Sequence, residues 1–281
     1  MRFKFKIALL LSGWTALGTL CLPLVAQSEP AASPVVTQSP EQLQQLVAPI
    51  ALYPDELVAQ VLGAATYPTE IVEADGWLQG HSNLKGQELA QAVDQQAWDP
   101  SVKALAQFPS VLANLDKNLS WTSSLGEAYV NQPQQVMDAV QEMRRQAQHA
   151  GNLKDTPQQK VKTEGQTIVI EPAEPDVVYI PQYDPWLVYG AAVPVWPGWY
   201  TYPGLYLSGP GFGFSFGFPI GFYGGFGWGW NRWGFDWGHR TRVFNHNTYI
   251  SRQQDVCQSQ HGHQSQYRRE SQLIRRSQRR S

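Results

Sequence analysis

Apolar and polar positions change rhythm several times along this chain, and each change marks a boundary. From Glu41 to Asn152 apolar residues recur at helical spacing. Leu57, Val58, Val61, Leu62 and Ala65 share one face of one helix, and Val136, Val140, Met143 and Ala147 share a face of another. Such faces need partners, so the region predicts about five to seven short amphipathic helices in a compact bundle. Tyr53-Pro54-Asp55-Glu56 recurs as Tyr67-Pro68-Thr69-Glu70. Both copies read as helix starts, because proline suits a first turn and acids favour the positive helix N-terminus. Asp99-Pro100-Ser101 is a third start, with Asp99 as N-cap. Gln134 to Ala150 is the longest helix candidate, and Gly151 is placed to end it in a left-handed cap.

The rhythm then becomes strand-like. Thr167 to Glu171 and Asp176 to Ile180 are rich in Val, Ile and Tyr and are bounded by Pro172, Pro175 and Pro181. A turn at Gln182-Tyr183-Asp184-Pro185 leads to a further β-prone piece, Trp186 to Tyr189, so a small sheet or strand clamp across the bundle is expected. From Pro185 to Asn231 no residue is charged, and Gly, Pro and aromatic side chains dominate. Gly211 to Phe218 alternates ring with bare residue, which in an extended chain makes an aromatic face of Phe212, Phe214, Phe216 and Phe218. Gly225 to Trp230 repeats the device. Burying such a ring contributes roughly 1.5–3 kcal/mol, so these rings need a sink. Three are open: the helical bundle itself, a membrane interface, or a second copy of the chain. The binding candidates are those four phenylalanines with Trp228, Trp230 and Trp233.

Charge divides the chain. Residues 27–190 carry 20 acidic against 8 basic residues, a net of −12, whereas residues 232–281 carry 10 Arg against 3 acids, a net of +7. The pairs Arg268-Arg269 and Arg275-Arg276 make the tail a candidate anchor for an anionic surface. At the other end Arg2, Lys4 and Lys6 precede an apolar stretch closing on Leu24-Val25-Ala26, the order of a secretory signal peptide. Export makes nucleic acid a poor partner for the Arg tail. Cleavage after Ala26 would leave Cys257 as the single cysteine, so the fold has no internal disulfide to rely on.

Leu46-Val47-Ala48-Pro49-Ile50-Ala51-Leu52-Tyr53-Pro54-Asp55, Trp98-Asp99-Pro100-Ser101-Val102, Gly151-Asn152-Leu153 and Val178-Tyr179-Ile180-Pro181-Gln182-Tyr183-Asp184-Pro185 together resemble the bacterial family catalogued as domain of unknown function 3300. The likeness covers roughly residues 40–190, and several motifs in order make it specific. It implies an exported bacterial protein with a Gly-aromatic region behind the shared domain. It transfers no catalytic residue.

Candidate chemistry is sparse. Glu56 and Glu70, with Asp99 and Asp184, are carboxylates of the kind that cleave glycans in pairs. The alternative is that local structure explains each of them, the glutamates at helix N-termini and the aspartates capping turns. Gly213-Phe214-Ser215-Phe216-Gly217, with Asp236 and His239 downstream, matches a nucleophile elbow, but the prolines and glycines around it prevent the helix that an elbow needs. Cys257, His261 and His263, with His239 and His246 upstream, are metal-ligand types in surroundings that offer no apolar shell. No cofactor is expected.

The expected architecture is mainly α: a signal peptide at 1–26, a linker at 27–40, a multi-helix domain at 41–153, an extended β-prone segment at 154–190, a Gly/aromatic low-complexity region at 191–238 and a disordered, Arg-rich tail at 239–281. The expected function is that of a non-enzymatic envelope module in the periplasm or on a membrane surface. A cell-wall hydrolase using Glu56 and Glu70 is the alternative.

Overall fold

The computed structural model describes residues 37–244 and the backbone of 247–249. The expected signal segment lies outside the described residues, as do nearly all of the linker, Cys257, His246, His261, His263 and the arginines from 268 onward. Eight helices come first among the described residues: α1 Pro40–Val47, α2 Asp55–Ala64, α3 Pro68–Gly80, α4 Gly86–Asp94, α5 Pro100–Leu105, α6 Pro109–Lys117, α7 Leu119–Asn131 and α8 Pro133–His149. Three small antiparallel sheets follow. β1 Gln159–Glu164 pairs with β2 Thr167–Pro172, β3 Val177–Tyr183 pairs with β4 Phe212–Pro219, and β5 Trp233–Asp236, β6 Thr241–Phe244 and β7 Asn247–Tyr249 form the third.

Local chemistry sets the helix ends. Ser39 and Gln42 cap α1 reciprocally, Asp99 accepts from the Ser101 amide to start α5, and Gly151 at φ 77° ends α8. The chain divides into more helices than the apolar spacing alone suggests, because Pro68, Pro100, Pro109 and Pro133 each open a new one.

Helix α2 lies at the centre. Every residue from Leu57 to Ala64 is buried, so the single apolar face read from sequence understates how enclosed it is. Small residues make this possible. A Cβ at Gly126 of α7 would collide with the Ala65 carbonyl, and one at Gly63 with the Arg242 guanidinium.

One buried cation ties the layers together. Arg144 of α8 is fully enclosed; its Nη1 reaches Asp55 Oδ1 at 2.6 Å and the Ile168 carbonyl at 2.8 Å, its Nε the Ala51 carbonyl at 2.9 Å, and its Nη2 the Tyr53 carbonyl at 3.1 Å. Asp55 in turn accepts from the Ile170 amide at 3.2 Å and from Trp237 Nε1 at 2.7 Å. The guanidinium also lies over the Trp237 ring, 5.3 Å from its centroid. The α1–α2 turn, α2, α8, β2 and the aromatic segment therefore meet at one ion pair.

The expected β-prone piece at Trp186 to Tyr189 is a turn instead. Asp184 explains the difference: its Oδ1 accepts from the Trp186 amide and its carbonyl from the Leu187 and Val188 amides, an Asx-type turn that outcompetes strand pairing. The strand that pairs with β3 comes from the Gly-aromatic run.

Gly126→Ala is expected to lower the melting temperature. Helix propensity alone would raise stability by up to ~1 kcal/mol, so a loss measured by thermal unfolding identifies the close contact with Ala65 as dominant.

Candidate functional site

The carboxylates proposed from sequence go to different places. Glu70 Oε2 accepts from the Asp99 amide at 2.6 Å, tying α3 to the start of α5. Asp99 accepts from Ser101, and Asp184 holds the Trp186 amide and the Tyr206 hydroxyl, the latter at 2.6 Å. These three are occupied with structure. Glu56 is different. It stands in the first turn of α2, but burial overrides the helix terminus and pushes its carboxyl up to about 8, with Asp55 and Glu171 adding to the rise and the helix amide and Arg144 opposing it. Its Oε2 is enclosed without a hydrogen-bond partner. Glu70 is thus tied to the start of α5, whereas the charged neighbours of Glu56 are Asp55, Glu171 and Arg144.

The aromatic candidates divide as well. Trp228, Trp230 and Trp233 are buried against the helices. Trp228 Nε1 donates to Asp94 at 2.8 Å, and Trp230 and Phe218 both meet Phe108 edge to face at 5.6 Å. Phe212 stacks on Tyr183, and Phe214 stands edge-on to Phe212. Phe216 is the exception, 93% exposed. A bulge is responsible. β3 and β4 pair Tyr179 with Gly217 and then Pro181 with Phe214, so Ser215 and Phe216 together face Ile180. Pro181 has no amide to donate, and the Ile180 amide goes to Ser215 Oγ at 3.2 Å. The extra residue re-aims Phe216 away from the protein. Other exposed apolar side chains of the uncharged run are Leu187, Val195, Tyr200, Leu207 and Phe222.

Ser215 sits mid-strand, which removes the strand-to-helix turn that a nucleophile elbow requires. His239 Nδ1 contacts Asp236 Oδ2 at 2.7 Å in an exposed turn. Among the described residues no group of three or more His, Cys, Asp or Glu is placed to hold a metal ion, and no helix is long and apolar enough to cross a membrane.

Sequence reasoning missed three features. The tail expected to be disordered from residue 239 begins instead with β6 and β7, and Arg242 on β6 is buried, its Nη1 donating to the Ala59 carbonyl of α2 at 3.0 Å. Arg144 lies four residues after Val140 and three before Ala147, a charge on the apolar stripe of α8, and that position was the available signal. Asp75 repeats the device on α3, between Ile71 and Leu78, and lines a cleft of about 470 Å³.

The motifs that build this architecture are shared. The chain matches the family described as Protein of unknown function (DUF3300) over residues 39–272. It belongs to that family. The DUF3300 match begins at the capping serine of α1 and takes in the bundle, the small sheets and the Gly-aromatic run. A relative described as uncharacterized protein YacH, from Escherichia coli (strain K12), is 39% identical over 234 residues, which covers 67% of this chain and 37% of that protein. The chain thus spans less than half the length of this relative. No solved structure matches it.

The Glu56 carboxyl sets a pH dependence. The folded state keeps a proton that the unfolded chain releases, so stability is full below about pH 4.5 and falls as pH rises toward about 8. Within that window the expected slope is at most roughly 1.4 kcal/mol per pH unit. Glu56→Gln should flatten it, giving a variant that melts above the parent at pH 9 and level with it near pH 4.5; parallel melting curves for the two proteins would refute this.

Proposed function

We propose that this protein is an exported, non-enzymatic envelope module held at a membrane surface by the exposed edge of its Gly-aromatic segment and by its Arg-rich tail. One observation carries the reading. Most of the rings fold inward, yet a bulge turns Phe216 outward, and Leu187, Val195, Tyr200, Leu207 and Phe222 of the same uncharged run are exposed with it. Isolated exposed hydrophobics are ordinary, but a concentration of them on one uncharged segment favours contact with an apolar or interfacial surface. Tyrosine and phenylalanine suit the headgroup boundary, and a basic tail adds attraction to anionic lipid, two weak anchors acting together. The leader-like residues 1–26 support delivery outside the cytoplasm.

A second reading, a cell-wall hydrolase, draws on the Glu56 carboxyl, which burial keeps protonated at neutral pH as a general acid requires. The carboxylates near it are already paired, Asp55 with Arg144 at 2.6 Å and Glu171 with Lys162 at 2.7 Å. The non-enzymatic reading is therefore preferred.

Sedimentation of the mature chain with vesicles of phosphatidylglycerol and phosphatidylethanolamine tests the anchoring. The expected result is a bound fraction that falls with salt and drops severalfold in the Phe216→Ser, Phe222→Ser double variant, with the melting temperature preserved. A chain that stays in the supernatant, or binding indifferent to those substitutions, would overturn the reading.

A further inference from the structure

On the helical side of the molecule, α3, the α3–α4 turn, α4 and α6 enclose a cleft of about 470 Å³, closed on one side by Tyr202 and Pro203. Its size is that of a small-molecule site, for which about 300–1,000 Å³ is usual. We propose that this cleft binds a neutral saccharide of about disaccharide size, with Asp75 and Ser110 as its inner hydrogen-bonding groups and Tyr202 as its ring-stacking wall.

The lining argues for this class of ligand by exclusion and by fit. Asp75 is buried, and its Oδ2 already accepts from Gln79 Nε2 at 2.6 Å. Ser110 Oγ, on the opposing helix, is shielded from solvent and has no hydrogen-bond partner in the protein. An apolar ligand would desolvate Asp75 further and leave Ser110 Oγ unpaired, which is costly. A ligand anion would meet the Asp75 carboxyl. A ligand cation would meet Lys85 on the wall and Lys117, which is paired with Asp116 at 3.0 Å and lies close to Asp75 and Tyr202. The two signs balance around the cleft, and burial raises the Asp75 carboxyl, with the Gln79 hydrogen bond opposing and Asp116 adding.

What remains is a neutral molecule with hydroxyl edges and an apolar face. A pyranose has that form. Its hydroxyls would meet Asp75, Gln79, Ser82 and Ser110, and its C–H face would lie on Tyr202 and Leu89. At the mouth, the His81 ring is held flat, stacked on Trp77 at 4.1 Å with Nδ1 tied to the Trp77 carbonyl at 2.8 Å. Trp77 is itself braced edge to face by Trp98. A rigid rim of this kind favours a ring-shaped ligand over a flexible chain. The cleft shares no lining residue with the Phe216 edge and does not depend on membrane contact.

Calorimetric titration of the mature full-length chain decides the matter, with N,N′-diacetylchitobiose and cellobiose as neutral probes and putrescine and citrate as charged ones. The expected result is saturable binding of at least one disaccharide and of neither ion. Asp75→Ala should weaken it by at least about tenfold, the loss of one buried hydrogen-bonding group. Ser82→Trp, at an exposed position on the cleft wall, should abolish binding without changing the melting temperature, which keeps the test valid if Asp75→Ala fails to fold. Absence of disaccharide binding, binding that survives Ser82→Trp, or binding of putrescine or citrate in place of the sugars would each overturn the proposal.

Discussion

The buried guanidinium of Arg144 organises this protein. Arg144 brings four hydrogen bonds into a space with no solvent, and they end on three parts of the chain: the α1–α2 turn through Ala51 and Tyr53, α2 through Asp55, and the β1–β2 hairpin through Ile168. Asp55 passes the connection on to Ile170 and to Trp237. An arginine can do this where a lysine cannot, because its planar fork presents several donors in fixed directions. A buried ion pair is poor proof of net stability, since desolvation opposes its formation. Its value here is geometric. A misplaced hairpin or aromatic segment would leave the guanidinium or the carboxylate without partners, and that penalty selects one arrangement.

The same logic explains how a long uncharged run of rings becomes ordered. Apolar burial is non-directional and cannot by itself choose a register. Polar ties do so. Asn118 accepts from the Tyr200 amide and donates to its carbonyl, Gln45 reaches the Pro194 carbonyl, Asn152 the Val188 carbonyl, and Trp228 finds Asp94. Tyr183 and Tyr189 both donate to the Ala48 carbonyl at the end of α1, and burial raises both phenols so that they stay neutral donors. With most rings fixed inward, the bulge opposite Ile180 selects which one is left for the outside.

Much of this was legible in the sequence, for reasons that are local. The helical faces of α2 and α8, the Asp99 cap, the Gly151 cap and the strand character of β2 and β3 follow from spacing, capping and β-propensity, which act within a few residues. What was not legible depends on contacts between distant residues. The turn at Trp186 to Tyr189 looks β-prone until Asp184 is seen bonding its amides. Glu56 resembles any acid at a helix start, and only tertiary burial makes its carboxyl unusual. Phe216 is indistinguishable from Phe212, Phe214 and Phe218 by alternation; the bulge that separates it arises where Pro181 offers no amide to the opposite strand. Asp75 and Arg144 were visible as charges on apolar stripes, but their partners were not.

The most direct test of the central role of Arg144 is native-state hydrogen exchange on the Arg144→Met variant, read alongside its urea unfolding. Removing one partner of a buried ion pair should cost roughly 3–5 kcal/mol. The amides of β2 and of β5 to β6, far apart in sequence, should lose protection together. A loss below about 1 kcal/mol, or one confined to the amides of α8, would contradict the account.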